Sequence, residues 1–338
     1  MREIRVKCFT QGSSVASTRF RLTQLTDPLS DRGIKFIFFH AYKSAYPPKG
    51  PFKRILWFSI EFITRFRSVF FQQNEKINIL QREMISTFYT FEGAVQGKKI
   101  LDVDDAVWLL KKGKVIDKIA QNSDHIVCGN LYLAKYFRKF NLPITIIPTS
   151  VDTSRFNVSK HKQLVIGWTG GSSAFNSLYE IEKEIASVLS RHSQWKLRVV
   201  ADMKPRFTIL PDDKIEYIEW SPSVEVEAIN TMSIGLMPLP DDEWSLGKCS
   251  YKMLLYMACE LPVAVSNIGT NKEILEQSEV GIGIDGKFDW EGAIESLITN
   301  PLLREEMGIR GRMLVKEKFC LDKAANKWTE VINSLNRS

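Results

Sequence analysis

The sequence predicts an α/β protein with two doubly wound domains, each built on a parallel sheet. Three observations lead to this prediction. Apolar segments of strand length alternate with amphipathic segments of helix length along most of the chain. This alternation stops at a polar stretch near residues 152–162 and then starts again. The chain has 338 residues, which is more than one hydrophobic core usually contains.

The elements of the first half follow one another in a regular order. A strand (EIRVKCFT) precedes a helix that begins with serine and threonine and ends at glycine (SSVASTRFRLTQLTDPLSDRG). The next strand (IKFIFFH) has the composition of a sheet buried on both faces. After a proline and glycine break and the segment KRILWFSIEFITRFRSVFFQQ, the pattern predicts two strands (KINILQRE, KKILDVDD), a helix (KGKVIDKIAQNSD), a strand (HIVCGN), a helix (LYLAKYFRKFN) and a strand (ITIIPTSVD).

The second half repeats this order after the polar stretch, which we interpret as a linker. The pattern predicts, in sequence, the strand LVIGW, a helix over 177–190, the strands KLRVVAD and KIEYIEW, a helix over 224–230, the strand IGLMPL, a helix over 251–259 and the strand PVAVS. Ligands of doubly wound domains bind outside the carboxyl ends of the strands. We therefore expect the two domains to face each other across a cleft.

The composition limits the classes of protein to consider. Hydrophobic residues make up 44% and charged residues 25%, as in ordinary globular proteins. No apolar run is long enough for a transmembrane helix, and the N-terminus does not resemble a signal peptide. Five scattered cysteines without a C-x-x-C pair argue against a disulfide framework or a zinc site and favour a reducing compartment. We expect a cytoplasmic protein.

The charge balance indicates an anionic partner. A net charge of +7 and a pI near 9.0 suit nucleic acid, lipid headgroups or phosphorylated small molecules. No recognised nucleic-acid-binding module or repeated pattern of basic and aromatic residues is present. We therefore expect no nucleic-acid partner.

A glycine turn follows the first strand of the second half. Gly170 and Gly171 would let a ligand approach the backbone, and the helix that follows offers amide donors to a phosphate. The sequence here is neither a dinucleotide-binding G-x-G-x-x-G nor a P-loop, which disfavours nicotinamide cofactors and triphosphate motors. The alternative interpretation is an ordinary tight turn.

Two lysines stand near the start of the helix over 251–259. The spacing predicts that Lys248 and Lys252 lie on one face of that helix, one turn apart, beside Gly247. Cations are unfavourable at a helix start, so a bound anion would offset this placement. The alternative is that each lysine extends into solvent.

Two further groups of charged residues follow strands of the first half. Arg19 and Arg21 come shortly after the first strand and suit phosphate or carboxylate, although a solvated helix face is the alternative for at least one of them. The stretch LDVDD places Asp102, Asp104 and Asp105 at a strand end. A D-x-D arrangement can hold a divalent cation, but Asp105 as a helix cap is the favoured interpretation.

The segment over 52–71 is amphipathic. Its apolar positions recur at helical spacing (Phe52, Ile55, Phe62, Phe66, Val69), and polar positions lie on the other side (Arg54, Glu61, Arg65, Ser68). Aromatic residues opposite basic ones are typical of a helix at a membrane interface. Packing of the apolar side into the core is the more common outcome for such a pattern. His40 ends a strand at the expected cleft, and we interpret it as structural.

The stretch IGLMPLPDDEWSLGKCSYKMLLYMACELPVAVSNIGTNKEI resembles the donor-side signature of glycosyltransferases of the GT-B fold, in the retaining group called family 4. The segments ASTRFR, INILQRE, ILDVDDAVW, CGNLYLAKYF, IIPTSVDTSRF and IGWTGGSS resemble, in order, those of one bacterial branch of that family. The resemblance covers almost the whole chain.

This resemblance implies two Rossmann-like domains. Residues 1–155 would bind the acceptor, residues 156–318 would bind a nucleotide-sugar, and residues 319–338 would form a helix that packs back on the first domain. The implied catalytic residues are Asp104 and Lys248. The implied donor-binding residues are Gly170, Gly171, Ser172, Lys248, Cys249, Lys252, Gly269 and Thr270. The implied acceptor-binding residues are Gly12, Ser13, Arg19 and Arg21. Basic residues would stabilise the leaving nucleoside diphosphate, so neither a metal nor another cofactor is expected.

The chain departs from the family pattern at several places. Many members carry two glutamates spaced E-x7-E, and the corresponding positions here are Gly247 and Leu255, with Asp242 and Glu243 nearby. Many members also have a cleft histidine where this chain has Asp104, and a basic residue in the glycine turn where it has none. The branch that the chain resembles shares such replacements.

The predicted function is transfer of a sugar, with retention, from a nucleotide-diphosphate sugar to a glycan or a lipid-linked acceptor in cell-surface polysaccharide synthesis. Contact with an anionic membrane through residues 52–71 would place the enzyme at the inner face of the membrane. One alternative is a non-catalytic relative that binds nucleotide-sugars or glycans in an assembly complex. Another is a metal-dependent enzyme in which Asp102 and Asp104 hold the cation.

Overall fold

A computed structural model describes residues 3–42, 47–71, 75–86, 88–110, 113–159, 161–286 and 289–337. The chain divides into two compact units. The first unit contains residues 1–150, 247–249 and 321–338, and the second contains residues 151–246 and 250–320. Parts of two predicted helices (residues 72, 73 and 112) and residue 160 of the predicted linker lie outside the described residues.

The first unit is a six-stranded parallel sheet flanked by helices. Its strands are β1 (Ile4–Thr10), β2 (Ile34–His40), β3 (Ile77–Gln81), β4 (Lys98–Val103), β5 (His125–Cys128) and β6 (Ile144–Ile146). Its helices in the N-terminal segment are α1 (Ala16–Arg21), α2 (Thr26–Ser30), α3 (Pro51–Phe70), α4 (Gly113–Gln121) and α5 (Leu131–Phe137).

The second unit is another six-stranded parallel sheet with helices around it. Its strands are β7 (Val165–Thr169), β8 (Lys196–Ala201), β9 (Ile215–Glu219), β10 (Ile234–Met237), β11 (Val263–Ser266) and β12 (Gly281–Ile284). Its helices are α6 (Phe175–Tyr179), α7 (Glu182–Arg191), α8 (Glu225–Asn230), α9 (Glu243–Leu246), α10 (Tyr251–Ala258), α11 (Gly269–Leu275), α12 (Trp290–Thr299) and α13 (Pro301–Leu314). The two sheets confirm the predicted α/β class.

The strand order places a switch point in each sheet. The first sheet runs β2-β1-β3-β4-β5-β6, and the second runs β12-β11-β10-β7-β8-β9. The direction of strand succession therefore reverses between β1 and β3 in the first unit and between β7 and β10 in the second. Ligands of open α/β sheets bind outside the carboxyl ends of the strands at these points.

The polar stretch near residues 152–162 is not the linker predicted from the sequence. Phe156 is buried in the core of the second unit, and Arg155 forms an ion pair of 3.0 Å with Glu225. The division between the units falls after Ser150 rather than after residue 155. Low hydrophobicity marked this stretch, but one buried ring and one ion pair are enough to fix it to α8.

The last helix, α14 (Leu321–Arg337), belongs to the first unit. Its buried side carries Ala324, Ala325, Trp328, Val331 and Ile332, which pack with apolar residues of β1, β2 and β3. The ring of Trp328 meets the ring of Phe36 edge-on, with the two centroids 6.4 Å apart. The apolar stripe of this helix therefore faces the core, as amphipathic helices usually do.

Helix α3, in contrast to α14, buries its polar side. Its buried side contains Glu61 and Arg65, which are 1% and 0% exposed. The Arg65 guanidinium donates to the backbone oxygens of Thr10 (2.5 Å), Phe39 (2.6 Å) and Met84 (3.2 Å). Burial lowers the pKa of Arg65 to about 10, against the opposing effect of nearby glutamates. These three bonds hold the polar side of the helix against the ends of β1 and β2.

The outer side of α3 is consequently apolar. Phe52 is 86% exposed, Ile55 65%, Leu56 61% and Ile63 59%. Val69 is an exception among the predicted stripe, because it is 7% exposed and packs inward. The prediction of two opposite faces is correct, but core packing of the apolar face is excluded for these exposed residues.

Candidate functional site

The switch point of the second unit carries a lysine beside the predicted glycine turn. Lys252, in the first turn of α10, places its ammonium 4.3 Å from the ring centroid of Trp168, in a cation–π contact. A Cβ atom on Gly170 would lie 2.7 Å from the Lys252 Nζ and 2.8 Å from the Trp168 ring. Glycine is therefore required for this close approach of the turn to α10.

Tyr256 fixes α10 against β7. It lies one turn after Lys252 and is fully buried, and its hydroxyl oxygen accepts a hydrogen bond of 2.9 Å from the Thr169 backbone N–H. Burial raises the pKa of the Tyr256 hydroxyl, so this group stays protonated at neutral pH. The contact sets the position from which Lys252 reaches the turn.

Two of the three amides in the predicted turn are already used. The Gly170 N–H donates to the Val200 oxygen at 3.0 Å. The Ser172 N–H and hydroxyl both donate to the Asp202 carboxylate, at 2.6 and 2.9 Å. Burial opposes ionisation of Asp202, but the bonds from Ser172 outweigh it and lower the pKa of this carboxyl. An acidic side chain thus occupies the place where the sequence predicted a phosphate on Ser172.

Gly269 and Thr270 begin α11, as a glycine in the left-handed region (φ 50°) followed by a threonine that is 8% exposed. The next residue, Asn271, is fully buried and accepts a hydrogen bond of 2.6 Å from the Ser250 hydroxyl. Its amide in turn donates to the Ser266 oxygen at 3.1 Å. These bonds tie the start of α11 to β11 and to the residue before α10.

The predicted pairing of Lys248 with Lys252 on one helix face is wrong. Helix α10 begins at Tyr251, and Ser250 before it has a left-handed backbone (φ 52°). Lys248 therefore precedes the helix, and its contacts place it in the first unit with Gly247 and Cys249. The break at Ser250 was not visible from the apolar spacing, which continues across it.

In the first unit, Lys248 belongs to a cluster of four charged side chains at the ends of β3 and β4. Its ammonium lies 2.9 Å from Asp105 Oδ1. The Arg82 guanidinium bridges both acids, with Nη2 at 2.5 Å from Asp104 Oδ1 and at 2.5 Å from Asp105 Oδ2. Burial alone would raise the pKa of Asp105, but Arg82 and Lys248 outweigh it and lower that pKa.

Arg21 and Asp102 form a second, buried pair beneath this cluster. The Arg21 Nη2 lies 2.5 Å from Asp102 Oδ1, and Nη1 donates to the Ile147 oxygen at 2.5 Å. The two side chains are 1% and 0% exposed. We therefore withdraw Arg21 from the predicted acceptor-binding residues, because its guanidinium is committed to holding α1 on β4.

The other predicted acceptor residues lie after β1. Gly12 has a left-handed backbone (φ 144°), and Ser13 is exposed on the turn that leads to α1. Arg19 is half-buried on α1, with its guanidinium 5.1 Å from the ring centroid of Phe20. These three residues remain at the switch point between β1 and β3.

Cys249 is packed rather than open. Its thiol donates to the Asp104 backbone oxygen at 3.2 Å, and a Cβ on Gly129 would lie 2.2 Å from its sulfur. Burial raises the pKa of this thiol. The geometry gives Cys249 a role in seating the 247–249 segment on the ends of β4 and β5.

The two residues at the positions of the absent family glutamates, Gly247 and Leu255, are part of the packing. Leu255 is 2% exposed in α10, and a Cβ on Gly247 would lie 2.7 Å from Ala106. Of the nearby acids, Asp242 accepts from the Ser245 N–H at 2.7 Å and caps α9. In the described part of the chain, no group of three or more histidine, cysteine, aspartate or glutamate side chains could hold a metal ion.

Two residues of these sites carried no role in the sequence-based prediction. Arg82 stands in the stretch INILQRE, and Asp202 ends the stretch KLRVVAD. Each is a charged residue directly after a buried strand, and this placement is the signal that could have singled them out. Their partners, just after β4 and on the turn after β7, depend on strand order and could not be read from spacing.

The chain matches no family model, and no curated protein sequence matches it. Its fold is similar to several solved structures. A sucrose-phosphate synthase from Thermosynechococcus elongatus has a TM-score of 0.72 at 12% identity, over 99% of this chain and 100% of that one. HepE from Anabaena, in complex with UDP and glucose, has a TM-score of 0.68 at 10% identity, over 98% and 100% of the chains.

WaaG, a glycosyltransferase involved in lipopolysaccharide biosynthesis, has a TM-score of 0.68 at 11% identity, over 97% of this chain and 99% of that one. Identities this low establish the fold and nothing finer. The two sheets and these similarities confirm the GT-B fold class predicted from the sequence.

Proposed function

We propose that this chain is a glycosyltransferase that moves a sugar from a nucleoside-diphosphate sugar, with UDP as the favoured nucleotide, to a glycan or lipid-linked acceptor. The observation that carries the proposal is the Lys252 ammonium beside Gly170 at the switch point of the second sheet. HepE was solved with UDP and glucose in the same fold, which supports the choice of nucleotide. A role in cell-surface polysaccharide synthesis, and transfer with retention, rest on the family resemblance.

The donor site must stabilise the nucleoside diphosphate as it leaves. As the bond between the sugar and the β-phosphate breaks, negative charge grows on the phosphate oxygen, and a fixed ammonium stabilises it. We propose Lys252 and Lys248 for this task, with Gly170 and Gly171 giving the phosphates room. We propose a smaller role in phosphate binding for Ser172 than the sequence predicted, because its amide and its hydroxyl both donate to Asp202.

We propose that Asp104 acts at the acceptor and that no metal takes part. Asp102 and Asp104, the two acids of the metal-dependent alternative, are held by Arg21 and Arg82. Two guanidinium groups therefore supply the positive charge that a divalent cation would bring. Transfer that persists in the presence of a chelator supports this part of the proposal.

A second candidate is a binding protein that holds a nucleotide-sugar without transferring it. The buried Leu255 and the closely packed Gly247, at the places of two family glutamates, favour this candidate. Binding of UDP-glucose with no release of UDP would distinguish it from the enzyme.

Thermal unfolding with a panel of nucleoside diphosphates and their sugars tests the donor proposal. A ligand at about a hundred times its dissociation constant adds about 2.7 kcal/mol to stability, which is several degrees for units of this size. We expect the largest shift with UDP or a UDP-sugar and a smaller one for Lys252→Ala. Absence of a shift with every nucleotide would contradict the donor proposal.

We also propose that the outer side of α3 rests on an anionic membrane at the cytoplasmic face. None of the described helices is long and apolar enough to cross a membrane. Four phenylalanines of α3 (Phe58, Phe62, Phe66, Phe70) contact one another, Phe88 or Phe91, with ring centroids 4.7–6.0 Å apart. Three cations in α3 or just before it in the sequence are exposed, namely Lys49, Lys53 and Arg67. Apolar rings between basic residues complement a surface of acyl chains and acidic headgroups.

Sedimentation with lipid vesicles tests the membrane proposal. We expect binding to vesicles of phosphatidylcholine and phosphatidylglycerol, and weaker binding to phosphatidylcholine alone. The variant Phe52→Ser/Ile55→Ser should bind at least tenfold more weakly, since each buried apolar side chain contributes about 1.5–3 kcal/mol. Leu302→Ser, at a 72% exposed position of the second unit, is the matched control and should bind normally. Equal binding by all three proteins would contradict the proposal.

A further inference from the structure

A loop over residues 202–214 connects β8 to β9 in the second unit. It begins at the carboxyl end of β8, the edge at which open α/β sheets bind their ligands. The loop borders an open cavity of about 460 Å³, which is within the usual size range of small-molecule sites. The residues that line the cavity are Met203, Lys204, Pro205, Arg206, Phe207 and Asp212. None of them has a role in the function proposed above.

Two helices hold this loop in place. The Glu182 carboxylate, at the start of α7, accepts hydrogen bonds from the backbone N–H groups of residues 208–210, at 2.6, 2.5 and 3.0 Å. On α6, the Tyr179 hydroxyl accepts a hydrogen bond of 2.9 Å from the Arg206 N–H. Glu182 is 5% exposed, so water competes little for its bonds. The cavity is therefore shaped before a ligand arrives, which lowers the entropic cost of binding.

Lys204 and Arg206 stand on the same side of the loop. A residue that precedes proline favours extended conformations, and Pro205 imposes this preference on Lys204. In an extended segment, residues two positions apart lie about 6.5 Å apart and on one side. The exposures alternate accordingly, since Lys204 and Arg206 are exposed and Pro205 between them is buried. The two cations thus face the same ligand.

These two cations are not used by the protein itself. In the part of the chain that the structure describes, neither side chain forms a hydrogen bond or an ion pair. Lys214, at the end of the same loop, instead donates to the Ser193 backbone oxygen at 2.5 Å. Asp212 is the one carboxylate among the lining residues, so positive charge is in excess. Neighbouring like charges repel each other, and a bound anion would offset this repulsion.

Apolar surface completes the cavity. Met203 is 60% exposed, and the Phe207 ring stands edge-on to the Tyr179 ring, with the centroids 5.4 Å apart. Such groups can pack on the C–H face of a sugar ring, and the Asp212 carboxylate can accept hydrogen bonds from sugar hydroxyls. The cavity therefore suits a small molecule with a phosphate at one end and a hydroxylated ring at the other.

We propose that the loop between β8 and β9 binds a phosphorylated sugar, with the phosphate on Lys204 and Arg206 and the hydroxyl groups on Asp212. This site is separate from the one proposed for the donor diphosphate at Lys252 and Gly170. It lies entirely within the second unit, and the inference does not depend on the proposed function.

Calorimetry with glucose 1-phosphate, glucose 6-phosphate, glucose and inorganic phosphate tests the proposal. We expect at least one sugar phosphate to bind at least tenfold more tightly than glucose or inorganic phosphate. Lys204→Ala and Arg206→Ala should each weaken this binding about tenfold, since each removes a charged hydrogen-bond donor. Lys196→Ala, which removes an exposed cation at the opposite end of β8, is the matched control and should bind normally.

Three results would overturn the proposal. The first is that neither sugar phosphate binds, and the second is that inorganic phosphate binds as tightly as both of them. The third is equal binding of the sugar phosphate by the wild type, Lys204→Ala and Arg206→Ala. Asp212→Asn should narrow the preference for sugar phosphate over inorganic phosphate, because only the sugar offers hydroxyls. An unchanged preference would contradict the role of Asp212.

UDP binding separates this site from the donor site. We expect Lys204→Ala to bind UDP like the wild type, and Lys252→Ala to bind the sugar phosphate like the wild type. If Lys252→Ala loses both ligands, the cavity belongs to the donor site and the proposal is wrong. If the wild type binds the sugar phosphate but no UDP, the proposed function fails and this inference stands.

Discussion

The carboxyl ends of β4 and β7 are both strand ends of a parallel sheet, yet they are built from different chemistry. Around β4, three acids are paired with three cations in two linked groups (Arg21, Arg82, Asp102, Asp104, Asp105, Lys248). Around β7, glycines, a tryptophan ring and a lysine form the turn. The first arrangement is fixed by mutual charge, and the second is packed around a glycine and a cation–π contact. The same fold thus provides a site of paired charges in one unit and a lysine beside a closely packed glycine turn in the other.

The largest expected effect concerns the fixed charges. Arg21→Met leaves the buried Asp102 without its cation and should lower the free energy of unfolding by about 3–5 kcal/mol. Arg32→Met is the matched control, because Arg32 pairs with Asp322 at the surface of the same unit. Its loss should stay below about 1 kcal/mol. Urea denaturation measures both values, and equal losses would contradict the account of a charge-fixed site.

A smaller loss of stability is expected from a change in the glycine turn after β7. Gly170→Ala would press on the buried Trp168 ring and on Lys252. We expect a loss of about 1–3 kcal/mol in stability, as for overpacked interiors, and weaker UDP binding. Gly171→Ala is the control for stability alone, since a Cβ there would meet only Ser173 Oγ at 3.7 Å. If both variants bind UDP like the wild type, the turn does not lie at the donor.

The comparison also shows which parts of the molecule could be predicted from the sequence. Alternation of apolar strands and helices was sufficient to predict the α/β class, because parallel strands buried on both faces appear in the sequence as nearly continuous apolar runs. The family resemblance assigned Gly170 and Lys252 to one donor site, and the two residues lie next to each other in the structure. The partners of Arg82 and Asp202 could not be predicted, since they depend on which strand ends become neighbours.

Helix α3 marks a second limit. Its sequence shows two contrasting faces, as does that of α14, but the two helices bury opposite ones. In α14 the apolar face packs on the sheet, whereas in α3 the bonds from Arg65 to three backbone oxygens turn the polar face inward. Amphipathic spacing predicts that two faces exist. The backbone oxygens of Thr10, Phe39 and Met84, whose positions no spacing reveals, decide which face is buried.

The start of α10 marks a third limit. The apolar spacing continues from the segment before Ser250 into the helix, so the sequence predicted one helix carrying both lysines. The left-handed backbone of Ser250 separates Lys248 from Lys252. The conformation of one residue therefore separates the two lysines that the sequence had placed on one helix face.

The most direct test of the central claim is the release of UDP from UDP-glucose by the purified wild-type chain, compared with Lys252→Ala. Tyr217→Phe, at a half-buried hydroxyl of β9 in the same unit, serves as the matched control. The account predicts measurable turnover by the wild type and by Tyr217→Phe, and at least a tenfold lower kcat for Lys252→Ala, because the ammonium stabilises the leaving diphosphate. Equal turnover by all three proteins, or tight UDP-glucose binding without any turnover, would contradict it.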